Sequence, residues 1–536
     1  VFWKRISIVL LLAMVATIGA AGCRTTAQGG EMVIRYNLGT EPQTLDSALA
    51  TGQPELTLLN ELFEGLVRLD ELYQPQPGVA KSWDISDDGT VYTFHLRKAK
   101  WSNGDSLTAK DFKYGWLRAI SPETSADYAY MLWYIKGAQA YTEGTGTADA
   151  VGIEVVNNTT IKITLDQATA YFLSICAFPT MLPVHQATVE ASGIKYGSEV
   201  ENIVTNGPFI LTTWEHENIL ELVPYDDYWN RKVVKLDKLE VYCIEEESTE
   251  LAMFEAGELD VLDNPPIEEM ARLKEEGLVI GGNLGTYYYL YNCQKAPFDN
   301  PLVRKALNLA INRQQIVDNV SQGGQIPALA FVPPGIKNPV NGQDFRLEGG
   351  NYFADNDIAT AQQLLAEAGY PNGQGLPKIE ILTNDREAHI KIAQAIMEMW
   401  KQGLGIDNVT VRTEEWGVYL DSRDAGNFQV ARAGWIADYI DPMTFIDMWV
   451  TGGGNNNSFW GDPDYDALVV TGRTNTDQAT RFQAMHDAED IFMDVMPIAP
   501  IYFYTDPYMY KPYVKGVIKM PAGPAIDFIK AYIENP

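Results

Sequence analysis

The 536-residue chain is 46% hydrophobic and 11% aromatic, enough for large cores and too much for general disorder, and its length predicts more than one domain. Its 40 Lys+Arg stand against 71 Asp+Glu, a formal charge of −31. Such a surface repels nucleic-acid phosphates and anionic lipid, which excludes nucleic acid as a partner, and it keeps the protein dispersed.

At the N-terminus Lys4 and Arg5 precede an apolar run, Ile6–Ile18, and Gly19-Ala20-Ala21-Gly22 leads into Cys23. The run is short for a membrane span and suits the core of a secretion signal. Small residues directly before a cysteine resemble a bacterial lipobox, with Ala20 where that motif usually has Leu. The expectation is a signal peptide over 1–22, a lipidated Cys23 and a flexible polar tether over 23–31. The body would then lie outside the cytoplasm, in the periplasm or at the cell surface, held to the bacterial membrane by lipid alone. After Cys23 only Cys176, Cys243 and Cys293 remain, so at most one disulfide can form; no Cys-x-x-Cys spacing suggests zinc or redox chemistry.

Strand patterns follow at 91–96 (VYTFHL), 160–165 (TIKITL), 238–244 (KLEVYCI) and 378–382 (KIEIL). ISDDGT at 85–90 reads as a turn before a strand, and EEES at 245–248 as a solvated turn. Pro301 opens a helix over 301–317, with Asp299 and Asn300 as candidate caps. In 357–371, Ala361, Leu364, Leu365 and Ala368 share a helix face before Gly369 and Pro371. A helix through 390–405 is expected to stop at Gly403, and one over 478–496 to bury Phe482, Met485, Phe492 and Val495. Strands and helices alternate throughout, so the class is α/β or α+β with several domains.

Catalytic signatures are missing. There are five His, and no H-E-x-x-H, G-x-S-x-G, P-loop or dinucleotide-binding glycine motif. DPDYDA at 462–467 has the alternating Asp of a calcium loop, but Ala467 stands where Gly is needed and Arg473 where a bidentate Glu is needed, so it reads as an acidic helix start. No enzyme activity, metal or cofactor is expected. Twelve Trp and 28 Tyr favour aromatic-lined cavities, and GTYYYLYN at 285–292 suits a segment crossing between lobes. The strand VARAGWIADYIDP (430–442) is unusual: Arg432, Gly434, Ile436 and Asp438 alternate on one face, and its cation and anion are too far apart to pair.

Eight ordered stretches resemble the extracytoplasmic oligopeptide-binding proteins of ABC importers, the extracellular solute-binding protein family 5. They are EPQTLDSAL (41–49), NELFEGLVRLD (60–70), PQPGVAKSW (75–83), DGTVYTFHLRKAKWSNGD (88–105), NGPFIL (206–211), GTYYYLYN (285–292), KAPFDNPLVRKALNLAINR (295–313) and the strand just quoted. The resemblance implies an α/β, two-lobed periplasmic-binding-protein-like fold, with a ligand cleft between lobes and an additional domain inserted in the first. Lobe I is expected from 32–67, 191–287 and 506–536, the inserted domain from 68–190, and lobe II from 288–505. Crossings would fall near 286–292 and 501–506, with hinge closure engulfing the ligand.

On that resemblance, 430–438 is an edge strand to which an extended peptide adds as another strand. Gly434 and Ile436 would pair with the peptide backbone, Asp438 would anchor its α-ammonium, Arg432 would meet its α-carboxylate, and Trp435 would wall a side-chain pocket. Arg423 and His389 match positions that take the carboxylate of peptides of other lengths, and Glu55 an acidic residue lining the site. Six residues of strand span about 20 Å, which leaves on the order of 10 Å between inward-leaning side chains, about a tripeptide. Two departures stand out: Ser321 where a lysine is found, and Ile436 where a cysteine is common. The expected function is a monomeric receptor that captures short peptides and delivers them to ABC transporter permease subunits. Alternatives are a receptor for a dipeptide, murein peptide or nickel chelate, a secreted peptidase, and a peptide-sensing or chaperone-like surface protein without a transporter.

Overall fold

The computed structural model describes residues 30–71 and 73–534. The expected signal peptide, Cys23 and the tether up to residue 29 lie outside the described residues.

Three sheets carry the architecture. The first orders Val33–Asn37, Lys238–Tyr242, Ile219–Pro224 and Phe209–Glu215; the first pair is parallel and the rest antiparallel. Alternation buries Leu239 and Val241 with Leu220 and Leu222, while their neighbours stay half-buried. The second sheet is wholly antiparallel: Ala80–Ile85, Val91–Leu96, Thr160–Thr164 and Ile153–Asn157. Tyr92, Phe94 and Leu96 point inward from its second strand. Helix Ala109–Ala119 packs beside it, started by a capping box in which Asp111 accepts the Thr108 amide at 2.7 Å, with Phe112 and Trp116 fully buried.

The third sheet has seven strands and positions the site. Its path runs Val261–Leu262, Ile498–Tyr510, Val279–Tyr291, Val430–Ile436, Ile379–Asn384 and Val409–Glu414, with Ile326–Pro327 added on Ile498–Tyr510. Ile379–Asn384 and Val409–Glu414 are parallel, joined by helix Glu387–Leu404. Covered on both faces, Ile379–Asn384 is buried at five of its six positions instead of alternating. Val279–Tyr291 and Ile498–Tyr510, each 13 residues, run antiparallel from Val279↔Tyr508 to Leu290↔Ile498. Their register breaks between Gly282 and Thr286, where Leu284 instead donates its amide to Pro521 and accepts from Ala437.

Local expectations fared unevenly. Asn300 caps the helix at Pro301, accepting the Leu302 amide at 2.9 Å. That helix ends at Leu309, and a second starts at Arg313 under an Asn312 cap, so the expected continuous helix to 317 is corrected. The cap competes for the backbone in the middle of the apolar pattern. The long helix runs to Leu404 and stops at Gly405 (φ +72°), not at Gly403. Ala361 and Leu365 are buried as expected; Leu364, Ala368 and Val495 are only half-buried. Glu247 and Ser248 begin helix Glu247–Ala256 and are not a turn. Asp462 caps helix Pro463–Thr474, which bears out the acidic helix start. Cys176, Cys243 and Cys293 are free thiols.

Candidate functional site

Strand Val430–Ile436 is not a complete edge, which corrects the expectation. It pairs along its whole length with Val279–Tyr291, from Gly285↔Ile436 to Tyr291↔Val430. On its other side it pairs with Ile379–Asn384 only at Val430 and Ala431. The open edge is therefore the second part, Arg432–Ile436. The Ala437 amide donates to Leu284 at 2.8 Å and the Gln429 carbonyl accepts from Asn292 at 3.0 Å, so odd-numbered main-chain groups face the crossing strand. Alternation turns the N–H and C=O of Gly434 and Ile436 to the open side.

Asp438 stands just past the strand, half-buried. Tyr130, in the short helix Asp127–Leu132, donates its hydroxyl to the Asp438 carboxylate at 3.0 Å, and the Asp438 amide donates to Thr444 Oγ1 at 3.1 Å. Burial pushes the Asp438 pKa up to about 7; the Tyr130 hydrogen bond opposes this and the nearby Asp447 charge adds to it. No cation among the described residues offsets that burial. Asp447 itself pairs with Arg473 at 3.3 Å. Beside Asp438 opens a cavity of about 330 Å³, walled by Trp435, Trp133, Tyr134, Tyr439 and Met448. Tyr439 stacks on Tyr171 at 4.7 Å, which with Tyr130 brings the segments around residues 130 and 171 against the loop after the strand.

The other end of the open edge is cationic. Arg432 shares a face with Tyr287 and Tyr289, its guanidinium 5.4 Å from the Tyr287 ring centroid. Burial lowers its pKa, but the hydroxyls of Tyr287, Tyr504 and Tyr419 outweigh that and raise it, so Arg432 is charged. His389 lies in the first turn of helix Glu387–Leu404 and shares a hydrogen bond with the Tyr287 hydroxyl at 3.2 Å. Burial, then the Arg432 and Arg386 charges, push its pKa down to about 3. It would meet a carboxylate as a neutral hydrogen-bond donor and not as a cation. Arg423 sits on helix Trp416–Asp424, half-buried, and pairs with Asp424 at 3.2 Å.

The structure thus brings Asp438, Trp435, Gly434, Ile436, Arg432 and His389 to one strand edge, with Arg423 on the adjoining helix. Glu55 is elsewhere engaged: it is 5% exposed, in the first turn of helix Gln53–Leu62, and accepts the Gln43 amide at 2.6 Å. Ser321 supplies no charge, its hydroxyl turned back to the Ile316 carbonyl. Sequence reasoning missed Tyr130, Thr444, Tyr419, Tyr504 and Arg386. Only Arg386, three residues before His389, carried a local signal, a cation in the same short segment.

Three sheets, with an open strand edge set between an anion and a cation, define a two-lobed solute receptor. The chain belongs to the bacterial extracellular solute-binding proteins, family 5, whose middle-region model matches residues 74–457. Proteins of this family bind solutes for transport and are not enzymes. The oligopeptide-binding protein OppA of Bacillus subtilis is 38% identical over 99% of both chains. The crystal structure of Haemophilus influenzae OppA in complex with RPPGFSPFR matches with a TM-score of 0.78 and 35% identity, covering 94% of this chain and 99% of that one. Listeria monocytogenes OppA bound to peptide gives a TM-score of 0.79 at 32% identity, with coverages of 94% and 99%. Among the described residues no helix is long and apolar enough to cross a membrane, and no group of His, Cys, Asp and Glu could hold a metal ion.

Proposed function

We propose that this protein captures short peptides outside the cytoplasm and delivers them to the permease of an ABC importer, tethered to the membrane by a lipid on Cys23. A peptide adds to the open edge at Gly434 and Ile436. Its α-ammonium meets Asp438, and its α-carboxylate meets the Arg432 end, where His389, Arg386 and Arg423 add donors or positive charge. The observation that carries this reading is Asp438: a carboxylate taken partly out of water, with a hydroxyl partner but no balancing cation among the described residues, at the end of a partly open strand edge. The peptide complexes of the two OppA relatives support it. Main-chain pairing and terminal charges ignore the side chains between, so sequence tolerance follows.

Trialanine titrated calorimetrically against its N-acetyl and C-amide forms tests the reading. A charge-assisted hydrogen bond is worth about 1.5–3 kcal/mol, so each blocked terminus is expected to lose about ten- to a hundredfold in affinity. Equal affinity for blocked and free peptides would sink it. A nickel chelate that binds while peptides do not would favour the other solute class.

Affinity should also depend on pH. The ammonium favours charged Asp438, so binding lowers a pKa that starts near 7 and releases a proton. Affinity is expected to fall about tenfold per unit as pH drops from about 6.5 to 5, and to fall again above about 8 as the peptide amine deprotonates. Titration in buffers of different ionisation enthalpy at pH 6 should report proton release.

A further inference from the structure

The open edge is closed at one end by a side chain. Pairing with Ile379–Asn384 stops at Ala431, so the Arg432 carbonyl is the first on the strand left for another donor. The hydroxyl of Tyr419 donates to that carbonyl. It occupies the place where the N–H of an added strand would bond. Tyr419 is no loose surface group: it is 0% exposed and packed into the large core. Its helix, Trp416–Asp424, also sets the Arg423 guanidinium 5.9 Å from the Tyr419 ring centroid. The main-chain groups left on the open side are those of Gly434 and Ile436, with Asp438 beyond them. A Cβ at Gly434 would meet the Tyr504 hydroxyl, so a larger residue there requires Tyr504 to shift.

We propose that Tyr419 determines peptide length by ending the usable strand edge at Arg432. An added strand anchored at Asp438 passes Ile436 and Gly434 and then meets the Tyr419 hydroxyl. Two outward-facing positions on a strand rising about 3.3 Å per residue accommodate about three peptide residues. A longer peptide has to displace the hydroxyl from the Arg432 carbonyl and push against the buried ring. Its carboxylate would also lie beyond Arg432, toward Arg423. This inference rests on the peptide-receptor reading and adds a length filter to it.

The test is calorimetric titration of trialanine and pentaalanine into the parent protein, Tyr419→Phe and Tyr419→Ala. Phe removes the hydroxyl and keeps the core packed; Ala also opens the space. The parent should bind trialanine at least tenfold tighter than pentaalanine. In the variants that ratio should shrink to about threefold or less through a gain for pentaalanine. General destabilisation would weaken both peptides alike and leave the ratio unchanged, which overturns the inference, as does a parent that binds both equally. Should Tyr419→Ala fail to fold, the Tyr419→Phe ratio decides. If the parent binds neither peptide while keeping its melting temperature, the peptide-receptor reading itself falls, and the length filter with it.

Discussion

Asp438→Asn is expected to weaken binding of an unmodified short peptide by about a hundredfold or more, measured by calorimetry at pH 7.5. Removing one member of a buried charge pair costs about 3–5 kcal/mol, because the remaining charge is stranded, and each 1.4 kcal/mol is tenfold in affinity. Asparagine keeps the side chain's shape and can still accept from Tyr130, so the change isolates charge. The drop in affinity between pH 6.5 and 5 should disappear with it. A folding control comes from the same residue. The native pKa near 7 lies above the unfolded value of about 3.9, so ionised Asp438 costs stability above that unfolded value, in full once pH exceeds about 7. The peptide-free variant should therefore melt no lower than the parent at pH 7.5. An unchanged dissociation constant would remove Asp438 from the site.

Glu489→Ala is expected to destabilise the protein by about 3–5 kcal/mol, read as a shift of the urea midpoint. Glu489 is 0% exposed and accepts from Arg346 at 2.7 and 2.8 Å, from the Phe331 and Val332 amides at 3.1 and 2.9 Å, and from the Tyr352 hydroxyl at 3.3 Å. Alanine strands the guanidinium and two buried amides together. The Phe331 carbonyl also accepts from Thr286, on the strand that pairs with Val430–Ile436, so the loss reaches the backing of the binding edge. Adding Arg346→Met should recover part of the stability, because it removes the unpaired charge while the amides stay unsatisfied. A Glu489→Ala midpoint equal to the parent's would show that the network carries no net stability.

Much of the site's chemistry is written locally. Arg432, Gly434, Trp435 and Asp438 fall within seven consecutive residues, and alternation alone places the cation, the glycine and the exposed edge residue on one face. Helix starts at Asn300 and Asp462 were legible because a cap is a contact within three residues. The break at Ala310 was harder to see, since the apolar pattern runs through it and only the Asn312 cap divides it.

The sequence by itself determined the acidic surface, the alternation of strands and helices, the family and the chemical alphabet of the binding strand, because these depend on composition and on neighbours a few residues apart. Only the tertiary structure decided which main-chain groups stay open and which side chains carry charge. Pairing with Ile379–Asn384 ends at Ala431, and Tyr130 reaches Asp438 from 308 residues away. Ionisation follows the same logic: the pKa of Asp438 near 7 and that of His389 near 3 arise from burial and charges gathered by folding, which no local pattern contains.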